Sequence, residues 1–275
     1  MHGAMQSGPN VWLVGDLEHP DFAEAVALVR ATAKVGVALP EVAVLAQSRP
    51  SVIGLSDVER LRRSVPLAGM ALLVGSWCEG ETRTGRPAAG VQRLYWYEFP
   101  SWWRRQMVLR AAGRCPEWAR GATSEERGAR HGESSTGDRE QGLIGGTIAI
   151  ETFRFDTAAA IGDVLKSVGS ETIWLRPGLE HGEIRGVAAG IWEGGQLNAA
   201  EAERLAAFCT RLAELRAPVV ALLDFPRRDR CEVARQMGAA AVLGKPWLNA
   251  DLIATLRQIV GQAKQSCISP SPCAA

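Results

Sequence analysis

The stretch AVLGKPWLNADLI, Ala241 to Ile253, ends an apolar run on Lys245, with a proline next. A buried strand ends on a charge only where that charge has a partner or a task, because an unpaired buried ion is costly. Three acids close other apolar runs in the same way: Glu151 after TIAI, Glu193 after GVAAGIW and Asp224 after PVVALL. One ammonium and three carboxylates at one edge of a sheet would make an ionic site. Two further groups could do chemistry. Cys78, in GSWCEGETRTGRP, is a thiol beside Glu79 and Glu81. A catalytic thiolate needs a cationic or histidine neighbour to lower its pKa, and these acids push it the other way. In LYWYEFPSWWRRQ, aromatics stand beside Arg104 and Arg105, a pairing that could stack bases or serve as a protein-interaction hot spot.

The elements that must position these residues alternate clearly in the C-terminal half. GGTIAIET is a β-branched run, and DTAAAIGDVLKSVG follows with Ile161, Leu165 and Val168 at helical spacing. ETIWL is a short strand, and GVAAGIWE reads as a strand buried on both faces. NAAEAERLAAFCTRLAELR is a helix with Asn198 as N-cap and Glu201 three residues on. PVVALLD, DRCEVARQMG, AAVLG and NADLIATLRQIVGQ then read as strand, helix, strand and helix. The pattern predicts (βα)₅, a parallel sheet with helices on both faces and its site at the carboxyl ends of the strands.

The N-terminal half repeats this more faintly. NVWLVGDLEHPDFAEAVALVRA, EVAVLAQSRP, LSDVERLRRS (capping box Ser56 to Glu59) and MALLVGS read as strand–helix, strand, helix and strand. Alternation of Leu94, Trp96 and Glu98 with Tyr95, Tyr97 and Phe99 predicts a strand there, with a helix starting near Pro100. Neighbouring helical residues point about 100° apart, so Trp102 and Trp103 are not expected to be buried together. An internal duplication with one worn copy follows. The boundaries expected are 9–111 for a first domain, 112–143 for a flexible linker poor in aliphatic residues, 144–264 for a second domain and 265–275 for a disordered tail.

The 275 residues suffice for two domains, and the net charge of +1 gives no field to recruit nucleic acid or an anionic membrane. The start, MHGAMQSGPN, has no signal-peptide pattern, and no apolar run nears the roughly 18 residues of a membrane span. Six cysteines without a CxxC pair and four scattered histidines predict free thiols in a reducing cytoplasm, with no cofactor or metal. Five of the nine tryptophans lie between Trp77 and Trp118. Trp77, Arg83, Arg86, Trp102, Trp103 and Arg104 are therefore the expected interaction surface.

Residues Pro218 to Trp247, PVVALLDFPRRDRCEVARQMGAAAVLGKPW, resemble the receiver domain of two-component response regulators. They keep the Gly238–Ala239 pair and the Lys245-Pro246-aromatic motif. The resemblance implies a doubly wound, flavodoxin-like domain in which Lys245 reaches a phosphorylated aspartate and its bond to Pro246 is cis. It also places Glu193 at the acceptor, Glu151 and Thr152 at the metal-binding acid pair, and Leu223 at the switch hydroxyl. The loop from Gly75 to Pro87 would stand for the family's fourth helix. In the first half, Gly15, Asp16 and Glu18 fall at the acid cluster, Ala46 at the acceptor and Phe99 at the lysine. Aspartyl chemistry needs three carboxylates for a hard cation and a short nucleophile for in-line transfer. The reading is thus a tandem pair of pseudo-receivers that bind other proteins without phosphorylation. A glutamate beside Lys245 would be a residual salt bridge or a mimic of the phosphorylated state. Alternatives are a phosphorylation-responsive receiver in which Asp224 or Glu151 substitutes for the missing acids, and an enzyme using the Trp77–Arg86 loop. Receivers often dimerise through the last strand and helix, which admits a homodimer.

Overall fold

The computed structural model describes residues 8–81, 91–119, 144–179 and 185–268. Two compact units divide the chain within residues 120–143. The first holds β1 (Asn10–Gly15), α1 (Ala23–Thr32), β2 (Lys34–Val35), β3 (Val42–Gln47), α2 (Leu55–Ser64), β4 (Gly69–Val74), β5 (Gln92–Tyr95) and α3 (Phe99–Ala111). The second holds β6 (Thr147–Glu151), α4 (Phe155–Ser167), β7 (Glu171–Leu175), β8 (Val187–Glu193), α5 (Ala199–Glu214), β9 (Val219–Asp224), α6 (Arg228–Gln236), β10 (Ala241–Lys245) and α7 (Asn249–Ile268). Both sheets are parallel, in the orders β2-β1-β3-β4-β5 and β10-β9-β8-β6-β7. Counted within each unit, both are 2-1-3-4-5, the doubly wound flavodoxin-like order with its switch point between the first and third strands.

Both sheets depart from (βα)₅ at the same place. Among the described residues no helix joins β2 to β3 or β7 to β8. Ile173 on the edge strand β7 is consequently exposed.

In the second unit the sheet faces separate cleanly. Ile148, Ile150, Ile191, Leu222 and Leu243 pack beneath α4 and α7. Ala149, Trp192, Ala221 and Leu223 pack beneath α5 and α6. Helix α5 can settle on β8 only because residue 190 is glycine: a Cβ there would lie 2.3 Å from Leu212 and 2.8 Å from Phe208. The helix is capped as its sequence requires, with Asn198 Oδ1 accepting from Glu201 N and Glu201 Oε2 accepting from Asn198 N. In α2 the expected Ser56–Glu59 box is not the cap: Gly54 is the N-cap, and its N–H donates to Asp57 Oδ2 at 3.0 Å.

The first unit corrects three expectations. The aromatic strand ends at Tyr95, and Trp96 to Glu98 turn into α3. Trp102 and Trp103 are both buried, 1% and 0% exposed, so they offer no interaction surface. The reason lies in the segment read as linker. Residues 117–119 form a 3₁₀ turn that returns over α3, and Trp118 stacks on Trp103 with ring centroids 5.3 Å apart. Phe99 also stacks on Trp103, so the two indoles lie within one aromatic cluster. Polar atoms follow the rings inward: Trp102 Nε1 donates to Glu117 Oε2 at 2.8 Å, Trp103 Nε1 donates to Thr32 Oγ1 at 2.9 Å, and Arg105 pairs with Glu117. Burial opposes the charge on Glu117, but Arg105 and the Trp102 and Gln92 donors outweigh it and hold the carboxyl below its usual range. At the other end of the chain, residues 265–268, read as tail, continue α7.

Because Trp118 closes the aromatic core from a segment of linker-like composition, Trp118→Ala should cost the first unit about 3–5 kcal/mol. Hydrogen exchange should speed up across α3 and β5 and stay unchanged across β8 to β10. Unchanged protection of α3 would contradict the packing.

Candidate functional site

The four charged strand ends of the second unit do not converge on one point. Alternation along each strand sends Glu193, Asp224 and Lys245 to the face of α4 and α7, and Glu151 and Leu223 to the face of α5. Lys245 Nζ donates to Glu193 Oε1 at 2.8 Å and to Gly194 O at 2.6 Å, and lies 2.8 Å from Asp224 Oδ1. An ammonium has three donors, and all three are taken by oxygens at the ends of β8 and β9. Glu193 is engaged on both oxygens, since its Oε2 accepts from Thr152 Oγ1 at 2.9 Å. Thr152 in turn accepts from Arg154 N at 3.1 Å, which ties the β6–α4 loop to the same centre. The Lys245–Pro246 peptide is cis, as the motif implied.

Burial alone would lower the Lys245 pKa, but the bonds to Asp224 and Glu193 overcome it and raise the pKa above its ordinary 10.5. The folded-state pKa therefore exceeds the unfolded one, so the stabilisation is complete below pH 10.5 and is lost as pH rises beyond it.

Two sequence-assigned members stand elsewhere. Glu151 is buried on the α5 face, 3.6 Å from Arg204 and 3.7 Å from Arg211. Leu223 is fully buried among Trp192 and Ala221, and its successor Asp224 is the residue of β9 that reaches the lysine. Arg204 was not singled out in the sequence, yet it braces the centre from below. Its Nη2 donates to Glu193 O at 2.8 Å, and its guanidinium lies between the rings of Phe153 and Trp192, at 4.7 and 4.5 Å. Helical spacing would have pointed to it, since Arg204 stands four residues before Phe208 and so borders the apolar stripe of α5.

At the corresponding edge of the first unit, the strand positions that align with the clamp are uncharged. Register aligns Ala46–Leu73–Leu94 with Glu193–Leu222–Leu243. Two residues beyond come Gly75 and Trp96 in place of Asp224 and Lys245. Phe99 is fully buried at the start of α3. Asp16 and Glu18 are exposed.

Cys78 is fully buried, and burial, more than any neighbour, pushes its thiol up. Its loop is fastened by a buried pair, Arg93 Nη1 to Glu81 Oε2 at 2.6 Å, with Gln47 Nε2 donating to Glu81 at 3.0 Å and Arg93 Nη2 to Cys78 O at 2.7 Å. This thiol is not an accessible nucleophile. Of the expected interaction surface, Trp77 is 72% exposed and Arg104 faces Glu24 at 3.8 Å. Arg83 and Arg86 lie outside the described residues. Among the described residues no cluster of histidine, cysteine and acid residues could hold a metal ion, and no helix is long and apolar enough to cross a membrane.

If the clamp contributes as its geometry indicates, Lys245→Met should destabilise the second unit by about 2–3 kcal/mol at neutral pH, the scale of hydrogen bonds to charged groups. The wild type should lose that margin above pH 10.5 and the variant should not. Urea midpoints across the alkaline range test this, and parallel alkaline profiles would contradict it.

No family model and no curated protein matches the chain. Among solved structures, it is similar to a response regulator receiver protein from Pseudoalteromonas atlantica: 17% identity, TM-score 0.37, covering 42% of this chain and 98% of that one. It is similar also to a response regulator receiver domain protein from Clostridium thermocellum, at 14% identity and TM-score 0.36, over 44% and 98% of the two chains. A third is the signal receiver domain of a signal transduction histidine kinase from Syntrophus aciditrophicus, at 17% and 0.33, over 47% and 98%.

Proposed function

We propose that the chain is a tandem pseudo-receiver: a signalling module that binds other proteins and takes no phosphoryl group. The observation that supports this reading is the closed Lys245 clamp. The ammonium that would stabilise an acyl phosphate already has three oxygen partners within 2.8 Å. Glu193 carries its carboxylate one methylene further out than aspartate would, and both its oxygens are engaged. Leu223 has no hydroxyl and faces the opposite layer. Glu151 is neutralised by Arg204 and Arg211, so it is not offered to a divalent cation.

Duplication accounts for the tandem. Both units have the same strand order and lack a described helix at the same crossover, a pair of coincidences that one shortened ancestor explains. In the first unit the ionic centre is replaced by Gly75 and Trp96, so any ligand chemistry would reside in the second. Buried free thiols at Cys78, Cys209 and Cys231 fit a reducing, cytoplasmic setting.

The competing reading is a receiver that still responds to phosphorylation, favoured only by the half-exposed Asp224 beside Lys245. Intact mass after incubation with acetyl phosphate and Mg²⁺ separates the two. The expected result is an unchanged mass; a phosphoryl adduct mapped to Asp224 or Glu193 would overturn the proposal.

A further inference from the structure

Residues 113–119 are held to the first unit in the way a bound peptide is held. They join no sheet. After a turn at Gly113, whose φ is +69°, they run back over α3 and pack closely at Glu117 and Trp118. Side chains of α3 and β5 read Glu117. Its Oε2 accepts from Trp102 Nε1 at 2.8 Å and from Gln92 Nε2 at 3.2 Å, and its Oε1 pairs with Arg105. Its backbone N–H donates to Gln106 Oε1 at 2.8 Å. The Trp118 ring lies against Trp102 and Trp103, at 5.8 and 5.3 Å between centroids. Its main chain rests on Gly69, where a Cβ would lie 2.1 Å from Trp118 O. A carboxylate seat, an aromatic slot and a backbone rest are the parts from which short peptide motifs are recognised.

Two observations set this strap apart from close-packed core. Protein interiors contain few voids larger than a water molecule, yet a cavity of about 570 Å³ runs beside the strap, lined by Arg110, Arg114, Pro116 and Trp118 together with Leu67. Gln106 is fully buried, and its Nε2 meets no acceptor among the described residues. A buried donor left unmet is unfavourable. The strap is therefore an incomplete occupant of its own seat.

We propose that Gly69, Gln92, Trp102, Trp103, Arg105 and Gln106 form a recognition cleft for a partner segment in which a carboxylate residue directly precedes a tryptophan. Glu117 and Trp118 occupy it as an intramolecular stand-in. Trp102 and Trp103 offer no surface while the strap is seated and become one when it leaves. Because the strap is tethered, it holds the cleft at high effective concentration, and a partner that also supplies an acceptor to Gln106 Nε2 competes with it. This inference rests on the reading of the chain as a protein-binding module and names the chemistry of the partner.

The test uses the full chain carrying Glu117→Ala/Trp118→Ala, which empties the cleft, and a labelled peptide of residues 114–119, RCPEWA. By fluorescence anisotropy the emptied variant should bind the peptide roughly a hundredfold more tightly than the wild type, whose cleft is filled. The peptide RCPQWA should bind the variant roughly tenfold more weakly, the scale of hydrogen bonds to a charged group. Adding Gly69→Ala to the variant should abolish binding. Gly113→Ala in an otherwise wild-type chain strains the turn that returns the strap, and it should tighten peptide binding about fivefold. If the emptied variant loses the fold of its first unit, the peptide should restore hydrogen-exchange protection across α3. Neither binding nor restored protection would overturn the proposal and make the strap part of the core. Equal affinity of wild type and emptied variant would also overturn it, since the peptide would then bind elsewhere. So would a wild-type dimer that the emptied variant lacks, which would seat the strap of a second copy in the cleft. A phosphoryl adduct in the acetyl phosphate experiment, together with the expected peptide binding, would refute the silent-site reading and support the cleft.

Discussion

The carboxyl edge of the second unit is organised by one partly buried ammonium. Lys245 ends β10, and its three donors are met by Glu193, Gly194 and Asp224. A partly buried cation without those oxygens would be unfavourable, and two neighbouring carboxylates without the cation would repel. The three strand ends are therefore mutually dependent. Thr152 and Arg204 extend the dependence to the β6–α4 loop and to α5. The lysine serves as the cation of its own site, tethered by its side chain, which leaves little electrostatic reason for a soluble ion to enter.

The first unit resolves the same fold by the opposite means. Where the second has Asp224 and Lys245, the first has Gly75 and Trp96, and its stability is moved into an aromatic cluster formed by Phe99, Trp102, Trp103 and Trp118. Indole N–H groups in such a cluster require partners, which Thr32 and Glu117 supply. The buried pair Glu81 with Arg93 fastens a loop. One unit thus has an internally satisfied ionic centre at its carboxyl edge, and the other an aromatic cluster against α3.

The fold was legible because its signals are local. Strand–helix alternation, the Asn198 cap and the Lys245-Pro246 motif each depend on a few adjacent residues, and each stands where the sequence pattern placed it. What was not legible depends on side-chain direction or distant cover. Glu151 closes β6 as Glu193 closes β8, and Leu223 directly precedes Asp224, but a shift of one residue turns a side chain to the other face. Trp102 and Trp103 looked too close in sequence to be buried together. Cover comes from Trp118, in a stretch whose arginines, glycines and polar residues read as linker. The aromatic alternation runs past the end of β5, so the strand that it predicts through Phe99 stops at Tyr95 and Phe99 opens α3. Arg204 carried no motif beyond its spacing from Phe208, and the positions of β8 and α5 reveal its contact with Glu193.

The central claim is that the Lys245 ammonium is the resident cation of the second unit. Its side-chain N–H signals in a ¹H–¹⁵N spectrum of the full chain test this most directly, recorded at neutral pH with and without excess Mg²⁺. A donor group held by three oxygens exchanges slowly with water, so the account predicts a resolved Lys245 ammonium signal, distinct from the exposed lysines and unmoved by Mg²⁺. A signal that is lost to rapid exchange, or that shifts on adding the metal, would contradict it.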